Sequence, residues 1–454
     1  MSMASDLFPP RPGKGSDLLA TGFGTAVAMW AVGYVLRLPG VAAPSWLVFT
    51  LLLVCLLGGG VVAGRLTPRG WRGGLGTGSI AGLLNLLILG SLLGGDAPGR
   101  VVPGALWWVP GSLLLSAAIG AAGGLVGEMS QRDRLERTYL ASRGPAAFAW
   151  VAAGATFLLL IAGGVVTSKE AGLAVVDWPN SYGYNMFLYP LARMTGGIYY
   201  EHVHRLLGSL VGLTTLVLAL HLPRVDERRW VRGLGVLALV LVITQGILGG
   251  LRVTGHFTLS DDPGITRPNL LLAVLHGVLG QIFFGTMVVV AVVTTPRWRA
   301  AAPQPIPAGA ADLALALALP LLLVVQLVLG AVLRHTANGL LVHITMAVVV
   351  IVAGVLLGVR IWARHGDRPP LGRLATGLIT VLGLQLVLGL AALVATGFER
   401  VPGDPPLADV LLTTAHQATG AVLLAWSVAL ALWTFRLVRP QRLRTDLAAR
   451  GGTT

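Results

Sequence analysis

The chain has 454 residues, 55% of them hydrophobic and only 11% charged, with a formal net charge of +14. Soluble domains carry roughly 25% charged residues, so a water-soluble globular protein is excluded. The single cysteine, Cys55, lies in an apolar run, which excludes a disulfide, a cysteine zinc site or an iron–sulfur cluster from this chain alone. The first 17 residues are polar and proline-rich, with no cleavable signal pattern, so the first apolar run is expected to remain as a helix.

Twelve apolar runs long enough to cross a bilayer follow in order, at about 19–36, 46–63, 75–94, 103–127, 147–168, 203–221, 233–251, 270–294, 313–333, 340–359, 374–396 and 408–435. The fold class is therefore an all-α polytopic membrane protein with about twelve transmembrane helices. With alternate connections assigned to opposite sides, one side holds 24 of the 33 Lys and Arg and 10 of the 19 acids. Lys and Arg bias sets orientation, so both termini are expected to face the cytoplasm of a cell (inner or plasma) membrane. The basic excess is a topology signal and an attraction to anionic membrane lipid, and it gives no support to nucleic-acid binding.

The chain changes character near residue 146. The first four spans contain no histidine, and all nine histidines follow Ala147. Residues 1–146 read as a four-helix membrane module with a basic linker, and 147–454 as an eight-helix domain with halves at about 147–300 and 312–436. The eight-helix part repeats. Gln245, Gln326 and Gln385 are each followed by glycine four residues later, and the offset from Gln245 to Gln385 is 140 residues. His204 to His343 is 139, and His276 to His416 is 140. A period of four helices preserves direction, implying two four-helix bundles related by a pseudo-twofold along the membrane normal. The outer loop at 169–201 is long, and its counterpart near 335–339 is very short.

His204, His276, His343 and His416 fall near the outer ends of alternate spans, each with Gly or Ala four residues later. Positions i and i+4 share a helix face. An imidazole above a bare surface suits a flat macrocycle, whose metal the ring nitrogen ligates. Two facing histidines in each half would ligate one heme, giving two sites toward the outer face. Packing histidines are the plain alternative, and a zinc or copper site would want further ligands that the sequence does not offer. Arg205, Arg252 and Arg334 are candidates for binding heme propionates bidentately, with snorkelling as the alternative. His256 and His335 end helices after Arg252 and Arg334, where propionate contact and helix capping both fit. His202 falls on another helix face from His204, and His221 and His365 read as solvated loop residues.

Glu201, His204 and Arg205 form a Glu-x-x-His-Arg string, preceded by "GLAVVDWPNSYG" at 172–183 and matched by "HQATGAVLL" from His416. Over about 147–435 this set resembles the heme A synthase family of cytochrome oxidase assembly. The resemblance implies two four-helix bundles and an oxidoreductase that converts heme O to heme A by oxidising the C8 methyl to a formyl group. It implies a catalytic first half with His204 and His276, and a second half in which His343 and His416 hold heme B for electron transfer. Glu201 would be the catalytic residue, stabilising a polarised centre or relaying a proton, with helix capping as its alternative role. Heme O is then the substrate and heme A the product. Heme O synthase, an unidentified electron donor and membrane lipid are the implied partners, and the sequence leaves room for a homo-oligomer. Some relatives carry an outer-loop cysteine pair that is missing at 169–201. The N-terminal four spans are extra. A diheme membrane cytochrome that only transfers electrons is the alternative, and a heme-free transporter or scaffold the third class. In the second half Leu340 stands where Glu201 would recur.

Overall fold

All twelve apolar runs are helical in the computed structural model, which describes residues 15–130, 139–254, 270–306, 309–397 and 405–440. The spanning helices are α1 (Ser16–Leu36), α2 (Ser45–Leu66), α3 (Trp71–Leu93), α4 (Ala105–Met129), α5 (Pro145–Ser168) and α6 (Gly196–Val225). They continue with α7 (Arg229–Thr254), α8 (Leu270–Val293), α9 (Gly309–Thr336), α10 (Leu340–His365), α11 (Leu371–Thr396) and α12 (Leu407–Leu437). Each is long and apolar enough to cross a membrane. A helix suits such a run because every interior backbone group finds its partner within the segment. Glycine and proline mark the ends: Gly339, at φ 89, precedes α10, and Pro44 and Pro406 precede α2 and α12.

The eight C-terminal helices make two closed four-membered rings, α5–α6–α7–α8 and α9–α10–α11–α12. They join through α5 and α8 against α12, and α8 against α9. The buried centre is built on α6, α8 and α12, with Leu207, Leu210, Met287 and Leu430 inaccessible or nearly so. Helices α7, α9, α10 and α11 have the most exposed apolar surface, as lipid-facing helices do. A parallel pair of three-residue strands, Gln304–Ile306 and Val438–Pro440, ties the inter-ring connection to the end of α12.

In the N-terminal module α2, α3 and α4 touch backbone to backbone. A Cβ added at Gly60, Gly74 or Gly78 would lie 2.1–2.3 Å from a carbonyl oxygen of α4, and one at Gly64 2.1 Å from that of Gly124. Four-residue glycine spacing, at Gly60 and Gly64 or Gly74 and Gly78, is what permits this approach. Helix α1 then packs this module onto α5.

One face of the molecule carries the 169–195 loop, called here the loop face. The opposite face is held by buried acids. Asp226, just after α6, accepts from Arg228 and Arg299, each at 2.7 Å. Burial alone would raise its pKa, but these guanidinium partners hold it below the usual carboxylate value. Asp312 of α9 pairs with Arg360 at 2.7 Å and His365 at 3.1 Å. His221 meets Ser16 Oγ at 2.7 Å. The reading of His221 and His365 as solvated loop residues is thus wrong. Helices α6 and α10 run further than hydropathy indicates, and both imidazoles are buried in polar contacts between elements.

Candidate active site

Each of the four histidines stands on an even-numbered helix and leans against a glycine of the helix before it. A Cβ at Gly163, Gly249, Gly330 or Gly389 would lie 2.9, 3.3, 3.0 or 2.9 Å from Cε1 of His204, His276, His343 or His416 respectively. The ring rests on bare backbone, so these glycines fix how far it reaches into the bundle. The small residues four positions after the histidines differ in their surroundings. Space beside Gly208 is open, whereas Gly280 and Gly420 face Gln245 and Gln385.

Those glutamines are the other half of the cradle. Gln326 Nε2 lies 3.3 Å from His343 Nε2 and donates to the His343 carbonyl at 3.1 Å. Gln385 Nε2 lies 3.4 Å from His416 Nε2. Gln245, with its amide nitrogen turned toward the histidine, reaches His276 Nδ1 at 3.0 Å and its carbonyl at 3.1 Å. The Gln-x-x-x-Gly repeat therefore encodes a histidine seat. The motif is visible in the sequence, but its role is not, because the glutamine and its histidine sit on different helices. At His204 the seat is incomplete: Gly163 is present, but Leu159 stands where glutamine would be.

His204 and His276 face each other with ring centroids 6.4 Å apart and planes near perpendicular. That spacing leaves room for one metal atom bound at about 2 Å to each ring. His343 on α10 and His416 on α12 take the matching places in the second ring. Nδ1 of His204, His343 and His416 is buried without a hydrogen-bond partner, an arrangement with a desolvation cost that ligation relieves. Among the described residues there is no cluster of three or more His, Cys, Asp or Glu side chains able to hold a metal ion. Two imidazoles per ring suit a metal whose other donors come from a macrocycle, so these residues fit a heme.

The long loop covers only the first pair. Helix α6 begins at Gly196, seven residues before the hydropathy boundary, so Glu201 lies beyond its first turn and does not cap it. Glu201 is 4% exposed, accepting from Val175 N at 2.8 Å and from Arg205 Nη2 at 2.7 Å. Arg205 also donates to the carbonyls of Val175, Asp177 and Asn180, at 2.7, 2.7 and 3.0 Å. Its donors thus hold the loop, where sequence reading offers it to a propionate. Arg252 packs its guanidinium against Gly172, leaves Nε buried without a partner, and interacts electrostatically with Glu201 and both ring histidines. Arg334 donates to the Thr167 carbonyl at 2.8 Å, bridging α9 to α5. His335 ends α9, and His256 lies outside the described residues. His202 is fully buried; its Nδ1 lies 3.0 Å from Ser181 Oγ, and its ring is 5.0 Å from that of Tyr189. It belongs to the packing beneath the loop.

Residues 146–344 match the family model COX15-CtaA, described as cytochrome oxidase assembly protein. The match begins with α5 and ends just after His343, so it takes in Glu201, His204 and His276 but stops short of His416. No curated protein matched the chain. This segment, which holds the whole first ring and its loop, is similar to the COX15-CtaA family of cytochrome oxidase assembly proteins.

Proposed function

We propose that the protein is a membrane oxidoreductase that converts heme O to heme A, the first ring holding the substrate and the second a resident heme B. The observation that carries this is the recurrence of the histidine-on-glycine arrangement in both rings with a Glu201–Arg205 ion pair beside the first. Oxidising the C8 methyl to a formyl group takes in one oxygen atom at the oxidation level of water and releases four electrons and four protons, the electrons passing to an external acceptor for which a bound heme B would serve as relay. His204 and His276 would hold the substrate macrocycle through its metal. Glu201 keeps Arg205 and the loop amide of Val175 in register over that seat, and its negative charge sits beside Arg252. The loop closes the site and limits water. Arg252, with an unpartnered buried Nε, is the guanidinium best placed for a substrate propionate. In this reading heme O synthase delivers the substrate at the membrane, the loop face is the outer one, and an external donor or acceptor meets the second ring.

Extraction of pigments after expression with a heme O source tests the proposal. Heme A is expected from the wild type and is expected to be lost or strongly reduced in Glu201→Gln, with both pigments still bound. Heme-loaded wild-type protein that never yields heme A would leave the diheme cytochrome. That second reading is favoured by one feature: both carboxylate oxygens of Glu201 are already engaged.

A further inference from the structure

Helices α1–α4 lie outside the family match. They do grip the loop. At the end of α3, Gly90 and Gly94 lie directly beneath the carbonyls of Phe187 and Leu188; an added Cβ would come within 2.2 and 2.0 Å of those oxygens. Just beyond, the Asp96 carbonyl accepts from Tyr184 Oη at 2.8 Å and from Arg193 Nη2 at 3.1 Å. The Arg193 guanidinium also covers the Tyr184 ring, 5.4 Å from its centroid. A second grip comes from α1, where the Tyr34 carbonyl accepts from Tyr199 Oη at 2.7 Å and the two rings stack.

The hold continues inward. Tyr184 pairs its backbone with Ser181, whose hydroxyl meets His202 on α6. Asp177 receives the amides of Tyr182 and Gly183 at 2.6 and 2.8 Å, and its carbonyl receives Arg205. A loop of this length has no regular ladder to order it, so its order must come from what it touches. It is fixed on one side by Arg205 and Glu201 and on the other by Asp96, Gly90 and Gly94. The second ring has only a short turn at the matching place and has no such neighbour among the described residues.

We infer that the N-terminal four-helix module is a positioning device for the first site: it clamps residues 184–199 and so sets the 173–183 loop against Glu201 and Arg205. The catalytic consequence rests on the proposed function, but the clamp itself does not.

Hydrogen exchange on the full-length protein tests it, comparing wild type with Tyr184→Phe/Arg193→Met, which removes both donors to the Asp96 carbonyl. Loss of two hydrogen bonds predicts exchange on the order of tenfold faster at the amides of Val175, Tyr182 and Gly183, with α9–α12 unchanged. Arg193→Lys with Tyr184 intact keeps a donor and is expected to retain the protection. In protein loaded with heme, the absorption of the first pigment shifts in the double variant and that of the second does not. Gly94→Leu is expected to act in the same direction more strongly. If Gly94→Leu fails to assemble, the double variant still decides. Unchanged exchange at the three amides in the double variant would overturn the clamp. Faster exchange with heme A still formed as in the wild type would uphold the contact but overturn its positioning role, leaving the proposed reaction standing; wild-type protein that forms no heme A would count against the reaction and leave the clamp standing.

Discussion

In the ring α5–α8, His204 leans on Gly163 with Leu159 one turn away; in the ring α9–α12, His343 and His416 lean on Gly330 and Gly389, each with a glutamine amide at the imidazole. Above the first ring lies a loop held by Arg205 and Glu201, and above the second only the turn between α9 and α10. The two regions thus share a histidine–glycine arrangement and differ in what surrounds it. A repeated seat explains why two halves of one chain keep the same period. The unshared parts, one missing glutamine and one added ion pair, are where a substrate that must enter, react and leave would differ from a cofactor that stays.

The comparison breaks most sharply at the second pair. His343→Ala or His416→Ala removes an axial donor, and the expected outcome is loss of one pigment with the other retained. Quantifying heme per protein checks this. Loss of both pigments, or of neither, would mean that the rings are not independent seats.

How much of this was open to inspection in the linear chain follows from which properties are local. Apolar length and helical direction are local, so the twelve spans and the recurrence of His204, His276, His343 and His416 could be read directly. Contacts between helices are not. Gly163, Gly249, Gly330 and Gly389 touch imidazoles some 13 to 41 residues away in the chain, and nothing but the Gln-x-x-x-Gly rhythm hints at them. Hydropathy also ends a helix where polarity begins, whereas α6 continues through Tyr199, Glu201 and His202 because each finds a buried partner. The same effect hid the partners of His221 and His365.

A smaller effect sharpens the comparison within the seats themselves. Leu159→Gln would give His204 the amide that the other three histidines have, and Gln385→Leu would take it from His416. Contacts that orient a ligating imidazole are worth about ten- to a hundredfold in metal affinity. Heme transfer to a soluble apoprotein is expected to slow at the first seat in Leu159→Gln and to accelerate at the second in Gln385→Leu. Equal rates in both variants and the wild type would reduce the glutamine to packing.

The smallest difference lies on the opposite face, where each ring closes on a buried acid: Asp226 for the first, Asp312 for the second. Because Arg228 and Arg299 depress the Asp226 carboxyl in the folded protein, its stabilisation is fully present above the ordinary carboxylate value near about 4. It is lost as pH falls through the lower folded value, when the acid is protonated and the guanidinium groups lose their partner. At neutral pH Asp226→Asn leaves two partly exposed guanidinium groups without their carboxylate, a cost of about 1–2 kcal/mol. The variant is therefore expected to melt below the wild type at pH 7, and the gap to close as both are taken below about pH 4. Melting curves from pH 7 to 3 measure this. A gap that stays constant across that range would show that the Asp226 pair holds the end of α6 by shape alone.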